Sequence, residues 1–571
     1  MIGNPPWDVM RVEEVQWFAM RSREIAYAQR ASDRKLMIAA LKTQKPEMSA
    51  SFLAAVERAD AQRRVVATAG DFPLLSGGDV NLYSLFVERA QALVRPKGVV
   101  ALLTPSGIAA DKGAADFFKS IATTGRLGAL FDFENKKVFF ADVDSRFKFC
   151  TLVFGGTART FRRARCAFFL HALDDLDQGD RTLTLSAADF ELVNPNTGAA
   201  PIFRGQQDAD IAMRIYRAHP VLVRHGGTTE TRGRLPDVKA WPVKYATMLH
   251  MTNDSGLFKR AAELKAQGFE AGPLGHWSKG EFEALPLYEG KMVQIYDHRA
   301  ADVVLNLANL KRAAQQDAIP AWEKQSPTRF PAPQYWVAKE DVTQFATFDY
   351  CVAFKSVTAP TNMRTMIAAL LPHAGVGHSM SILTSSVRTA PQVLACVLAT
   401  LNSFAFDWVA RQKVQGQNFS WFIVEQLPVI APMRFDDPLP PTFAARMRAD
   451  GLMNGHHANP TVADFVIPQV LALSYTAHDL APFARDLGYV DEHGAVLPPI
   501  VWNDEDRRAR LAALDALFFH LYGLGEDDAA YVMDTFPIVR QQDEAAFGRY
   551  RTKQDVLALL RLLPAPRPTP A

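Results

Sequence analysis

The chain has 571 residues, 48% apolar and 22% charged, with a formal net charge of +2. This length exceeds one ordinary core and predicts about two to four domains, while the near-neutral charge excludes a globally basic body and confines any nucleic-acid surface to a local cleft. No run of about 18 apolar residues is present to span a membrane, the start Met1-Ile2-Gly3 lacks the pattern of a secretory signal, and Cys150, Cys166, Cys351 and Cys396 form no Cys-x-x-Cys pair. A disulfide framework and a structural zinc site are therefore not expected, no metal is expected, and a reducing cytoplasm suits the cysteine usage.

Asn4-Pro5-Pro6-Trp7 comes first. Two consecutive prolines exclude a helix or a central strand there and predict a rigid loop. From Val9 to about Gln44 the pattern is helical, without Gly or Pro. Asp79 is the expected cap of a helix from Val80 to about Val94, stopped by Pro96 and Gly98. Val99 to Leu103 is a continuous apolar run, the mark of a buried parallel strand. Asp111 is the expected cap of a third helix ending at Gly125, followed by strands at Leu127–Phe133 and Phe147–Phe154. This order describes one half of a doubly wound α/β sheet, which places ligands at the carboxyl ends of its strands. Thr104-Pro105-Ser106-Gly107 and Phe133-Glu134-Asn135 fall at two such ends. A glycine-rich first turn for a nucleotide-like cofactor is not found: Gly77-Gly78-Asp79 and Gly107-Ile108-Ala109-Ala110 come nearest, and neither follows a predicted strand with the right spacing.

Past Gly155 the texture changes. Residues 157–225 read as an irregular connecting segment, and 226–431 as short aromatic-rich β-like segments mixed with helices. Pro432 to Pro441 is a proline-dense linker, 442–563 a helical module, and the tail from Pro564 is expected to fray.

Several ordered motifs carry a family resemblance. Gly3-Asn4-Pro5-Pro6-Trp7-Asp8 resembles motif IV of adenine-N6 DNA methyltransferases. Asn81-Leu82-Tyr83-Ser84-Leu85-Phe86, Pro105-Ser106-Gly107-Ile108, Phe131-Asp132-Phe133-Glu134-Asn135 and Ser145-Arg146-Phe147-Lys148-Phe149 are similar to later elements of that catalytic domain. Asn194-Pro195-Asn196-Thr197, Tyr288-Glu289-Gly290-Lys291-Met292, Asp297-His298-Arg299, and Asn418-Phe419 leading to Glu425-Gln426-Leu427-Pro428 extend it to the large restriction–modification methylases that fuse an adenine methylase to a target-recognition domain. The resemblance implies a partial class I methyltransferase sheet over 1–156, a mixed α+β target-recognition domain over 226–431 and the C-terminal helical module. It implies methyl transfer from S-adenosylmethionine to an adenine amine in double-stranded DNA.

On this resemblance Asn4 and Pro5 supply the two acceptors that orient the exocyclic amine, a poor nucleophile, while Pro6 stiffens the loop. Trp7 stacks on the extruded adenine. Phe147 is either a second wall of that base pocket or a sheet-core aromatic. Tyr83 reads as core, and Glu134 and Asn135 as a strand-end loop. Lys291, Arg299, Lys355 and Arg364 are candidate contacts to phosphates or base edges, set against the ordinary reading of scattered cations as solvated surface. His298 has no second ligand at metal spacing. The family's cofactor turn, of acidic-Pro-x-Cys-Gly-x-Gly type, precedes the tetrapeptide and is not found in this sequence. The chain is thus expected to lack most of the S-adenosylmethionine site, either as a split enzyme that acts with an N-terminal methyltransferase fragment or another restriction–modification subunit, or as a truncated reading frame. The alternative is a non-catalytic DNA-recognition subunit with a vestigial base pocket.

Overall fold

The structure, a computed structural model, describes residues 1–571 except 29–30, 78–79, 137, 142, 144–146, 180, 230–232, 305–313, 344, 346–348, 415, 455–457 and 566–571. These form two compact units, Met1–Ala209 and Asp210–Ala571.

The first unit is built on a six-stranded sheet. Its strands are β1 (Ile2–Gly3), β2 (Val99–Pro105), β3 (Leu127–Glu134), β4 (Lys148–Gly155), β5 (Ala164–Leu170) and β6 (Leu183–Leu185). They lie in the order β1-β2-β4-β3-β5-β6. β1 runs parallel to β2, and β3 parallel to β5. β4 is antiparallel to both β2 and β3, and β6 to β5. The sheet is therefore mixed, not the parallel half expected. The cause is the connection 135–147, which carries no helix among its described residues. A parallel return needs a crossover, whereas a loop returns the chain antiparallel beside the strand it left.

The helices depart from expectation in their ends. Val9 to Gln44 is broken into α1 (Glu14–Ala19), α2 (Arg23–Ala26) and α3 (Ala31–Gln44), and α4 (Pro46–Thr68) follows, with proline in its first turn where its missing N–H costs nothing. Phe18, Ile25, Leu41 and Phe52 join them in a small core. The helix after Val80 is α5 (Leu82–Leu93), and its cap is Asn81, whose Oδ1 accepts from the Tyr83 N–H at 3.2 Å. Asp79 lies outside the described residues. Asp111 makes no side-chain cap bond; the segment divides there into α6 (Gly107–Ala110), a 3-10 turn at Lys112–Ala114 and α7 (Ala115–Ala122). Residues 157–209 are not an irregular bridge. β5 and β6 extend the sheet, and α8 (Ala187–Val193) is closed by a reciprocal Ser186–Asp189 capping box. Their apolar positions alternate only briefly, which hid them as strands.

The second unit holds both the β-like central region and the C-terminal helices. One antiparallel sheet orders Lys244–Ala246, Met380–Thr384, Tyr350–Lys355 and Ala368–Pro372. A second orders Glu270–Ala271, Trp277–Lys279, Phe282–Tyr288 and Trp336–Ala338, and Gly375–Val376 pairs in parallel with Phe282–Tyr288. Buried polar bonds tie its elements together: the Asn402 side chain of a helix exchanges bonds with the strand residue Ala368 at 3.0 and 2.9 Å, His298 Nε2 meets Asp479 at 3.0 Å, and the Phe404 N–H donates to Asp515 at 2.8 Å between two helices. Among the described residues no single helix is long and apolar enough to cross a membrane. All four cysteines are free and buried.

Candidate functional site

The register brings four strand ends to one edge of the first unit's sheet. Gly3 pairs with Leu102, Pro105 with Phe149, Glu134 with Lys148, and Phe133 with Leu170. Because β4 runs opposite to its neighbours, its entry at Phe147-Lys148 lies at the carboxyl ends of β2 and β3. Asn4-Pro5-Pro6-Trp7 leaves β1 at this edge. Pro5 is buried, Asn4 and Pro6 are exposed, and Trp7 is half-buried. The loop is anchored on its far side by α5. Asn81 Nδ2 donates to the Trp7 carbonyl at 2.9 Å, the Leu82 N–H to the Asp8 carbonyl at 2.9 Å, and the Met10 N–H to the Val80 carbonyl at 2.9 Å. One asparagine thus caps the helix and tethers the tetrapeptide. This residue was missed as a cap because the acidic Asp79 stands two positions earlier; Asn is an equally strong cap former.

Trp7 packs edge-on against Phe140, with centroids 5.9 Å apart, over a cluster formed by Phe133, Phe149, Ala167 and Leu170. Its indole Nε1 is buried and has no hydrogen-bond partner. Phe147 is 62% exposed, which removes the sheet-core reading. Two residues before Phe149, it falls by strand alternation on the side of the sheet that Trp7 covers. Asn135 is a clasp and not a plain loop residue. Its Nδ2 donates to the Phe140 and Val143 carbonyls at 2.9 and 3.0 Å, and its Oδ1 accepts from the Phe140 N–H at 3.0 Å. It thereby sets the position of Phe140 under Trp7.

Charge is concentrated at the same edge. Glu134 accepts from His171 Nε2 at 2.9 Å and faces Lys148 at 3.1 Å and Lys136 at 3.3 Å. Burial pushes its carboxyl up, but the His171 bond and the two lysines outweigh this and hold it at about 2. Asp132, one strand alternation inward, is buried and accepts from Ser106 Oγ. Burial dominates there and raises its carboxyl to about 6, against the lowering by Ser106 and Lys148. Tyr83 is buried on α5, as expected, and burial pushes its phenol up to about 12. The Glu134–His171 partnership joins residues 37 apart in sequence, beyond the reach of local motif reading.

In the second unit the candidate DNA contacts divide. Arg299 is 0% exposed, and its guanidinium donates to the carbonyls of Ser326, Arg329, Lys324 and Thr476 and to Thr476 Oγ1, all at 2.9 Å. Arg364 is 4% exposed, bonded to Asp407 Oδ2 at 2.6 Å and to the Asn402 carbonyl at 2.5 Å. Neither donor set is open to DNA, so both assignments are corrected: these are interior arginines, kept buried because carbonyls and a carboxylate satisfy them. Lys291 is partly exposed but held by the Ala314 carbonyl at 3.1 Å and Glu289 at 3.0 Å. Lys355 ends a strand of the first antiparallel sheet, and burial lowers its amine to about 8. Asn418 to Trp421 contributes packing: Trp421 stacks on Tyr245 with centroids 4.4 Å apart. Among the described residues no group of three metal-ligating side chains occurs.

At neither candidate glycine turn do the described residues form a cradle for a nucleotide-like cofactor. Among the described residues β1 is the last strand on its side of the sheet, so no further strand supplies a βα turn there. Gly107, the nearest candidate glycine with a described surrounding, is not an open cradle: a Cβ there would stand 2.3 Å from the Asp111 carboxylate. An anionic side chain already occupies the space beside this helix start. Gly78 and Asp79 lie outside the described residues.

No family model matches the chain, and no curated protein matches it. Solved structures do. The Type IIL restriction-modification enzyme MmeI in complex with DNA is 12% identical, with a TM-score of 0.37, over 84% of this chain and 55% of that one. The type IIG restriction endonuclease BpuSI is 10% identical, with a TM-score of 0.26, over 82% and 52%. A DrdV–DNA complex is 11% identical, with a TM-score of 0.30, over 74% and 43%. The chain spans about half the length of the first two of these structures.

Proposed function

We propose that this chain is the base-gripping and DNA-recognition part of an adenine-specific DNA methyltransferase of restriction–modification type, acting in the cytoplasm on double-stranded DNA. One observation carries the reading: Asn4-Pro5-Pro6-Trp7 leaves a strand at the carboxyl edge, fixed on both sides, with its asparagine side chain exposed. In this role Asn4 Oδ1 and the Pro5 carbonyl accept the two hydrogens of an adenine amine and favour the pyramidal nitrogen that attacks a methyl group. The prolines and the Asn81 tether hold both acceptors in place before the base arrives. Trp7 and Phe147 supply apolar surface to the extruded base, which offsets the few kcal/mol of lost pairing and stacking. S-adenosylmethionine supplies the methyl group, and its site is supplied by residues other than these, as in an N-terminal methyltransferase fragment or another restriction–modification subunit.

Two measurements test this. The isolated chain is expected to bind S-adenosylmethionine very weakly in calorimetry; low-micromolar binding without a partner refutes the division of the site. In a complex reconstituted with the donor-binding part, Asn4→Ala is expected to abolish transfer of methyl label to DNA, a loss of at least about 100-fold by analogy with removal of one preorganised polar group. Unchanged label incorporation removes the assigned role. The missing donor cradle favours one second reading, a non-catalytic recognition subunit. That reading predicts full DNA binding and no methylation with any partner.

A further inference from the structure

Two ammonium groups and an imidazole converge on the Glu134 carboxylate. Lys136 Nζ, Lys148 Nζ and His171 Nε2 all lie within 3.3 Å of its oxygens. The Lys136 and His171 side chains are each 53% exposed, so half of each remains open to a ligand. Lys148 also lies 4.8 Å from the centroid of the Phe169 ring, whose other cationic neighbour, Arg204, is at 5.1 Å. Asp175 Oδ2 accepts the His171 and Ala172 backbone N–H groups at 2.7 and 3.0 Å and sets a second carboxylate beside the His171 end of the group, away from the two lysines it does not bond.

The backbone is unusual at the same place. Lys136 and Phe169 both adopt the left-handed region, with φ of +40° and +56°. A non-glycine residue there carries a local cost that surrounding contacts must offset. Here the cost turns Lys136 back toward Glu134 and places the Phe169 ring between two cations. By strand alternation Glu134 and Lys148 sit on the face opposite Phe133 and Phe149, hence opposite Trp7, but at the same carboxyl edge. A chain crossing that edge meets the aromatic loop on one side and the cations on the other.

We propose that Lys136 and Lys148, gathered by Glu134, which His171 braces, form a seat for a backbone phosphate of the DNA whose base the tetrapeptide receives. The inference rests on the reading that this edge faces DNA. Phosphate is the group that matches it: a compact anion accepts hydrogen bonds from two ammonium groups without requiring a particular base. Glu134 is a positioning residue that keeps three long or exposed side chains converged before DNA arrives. The seat fixes the register of the strand; base identity is read elsewhere.

The test uses the full chain, a fluorescent random-sequence DNA duplex, and anisotropy titrations across a range of NaCl concentrations. Lys136→Asn tolerates the left-handed backbone while removing the charge, and Lys148→Met keeps the stem over Phe169. Each lost phosphate contact lowers the slope of log K against log salt by about 0.9, so the double variant is expected to lose about 1.8 and Lys136→Asn alone about 0.9. Glu134→Gln, which removes the opposing charge, is expected to tighten binding at low salt. Lys42→Met with Lys45→Met, on the distant helical segment, is expected to leave the slope unchanged. An unchanged slope in the double variant with an unaltered melting temperature overturns the proposal, as does an equal loss from the Lys42/Lys45 pair. A slope change seen with an RNA duplex and absent with DNA also overturns it. Asn4→Ala separates the two readings: methylation that survives Asn4→Ala, together with a reduced slope in the double variant, refutes the base grip and leaves the phosphate seat standing.

Discussion

The carboxyl edge of the first unit and the interior of the second put candidate binding residues to opposite ends. At the edge, Asn4, Phe147, Lys136 and His171 are held in place by neighbours while a large part of each stays exposed. In the interior, Arg299 and Arg364 are buried and held by carbonyls and a carboxylate, so neither presents an accessible donor face to a ligand. The difference lies in what remains unsatisfied after folding. A residue type marks a candidate; the residual hydrogen-bonding capacity decides whether it can bind anything.

The largest expected effect tests the interior half of this comparison. Arg299→Leu leaves four carbonyls and the Thr476 hydroxyl without their shared donor. Breaking a buried polar network of this kind costs about 3–5 kcal/mol. Denaturant unfolding of the full chain should show that loss, with DNA affinity falling only where the second unit has unfolded. Normal stability with weakened DNA binding would restore Arg299 as a contact residue and break the comparison.

The next effect tests whether the two units share an electrostatic cost. Burial raises both Asp132, under the edge, and Asp515, in the helical core, to about 6. The ordinary value is 3.8, so between about pH 4 and 6 the folded state binds protons that the unfolded state has released. Stability therefore falls as pH rises through that window and levels off above it. Asp132→Asn keeps an acceptor for Ser106 and removes the buried charge. It should stabilise the first unit by about 2 kcal/mol at pH 7 and by much less at pH 4, seen as a flatter melting temperature against pH. A uniform shift at both pH values would show that charge burial is not the cause.

Much of the first unit was legible in the sequence. β2, β3 and β4 fall within a residue or two of the expected strands, because each is a run of apolar residues bounded by turn formers. β5 and β6 were not, since Ala164–Leu170 and Leu183–Leu185 lie among arginines and acidic residues that mask a short buried strand. The tetrapeptide loop was legible because two prolines leave few conformations. Its supports Asn81 and Asn135, and the Glu134–His171 bond on the other face of the same edge, were not: they act through contacts 74, 5 to 8 and 37 residues away, and only the folded chain brings them together. Arg299 and Arg364 failed for the same reason in reverse, since their partners at Thr476 and Asp407 are equally remote.

The smallest effect sharpens the edge half of the comparison, because Asn81 does two separable things. Its Oδ1 caps α5 through the Tyr83 N–H, and its Nδ2 holds the Trp7 carbonyl. Asn81→Ala removes both and should cost about 1 kcal/mol of stability, the usual value of a lost cap. Asn81→Asp keeps the capping oxygen, adds a charge that the helix start favours, and loses only the donor to Trp7. Its melting temperature should return close to the parent value. If the tether preorganises the loop, Asn81→Asp should still lower methylation by the reconstituted complex, with salt-dependent DNA binding unchanged. If activity recovers along with the cap, the loop is held well enough by its prolines and the Asp8 carbonyl bond, and Asn81 belongs with the interior residues whose work ends at folding.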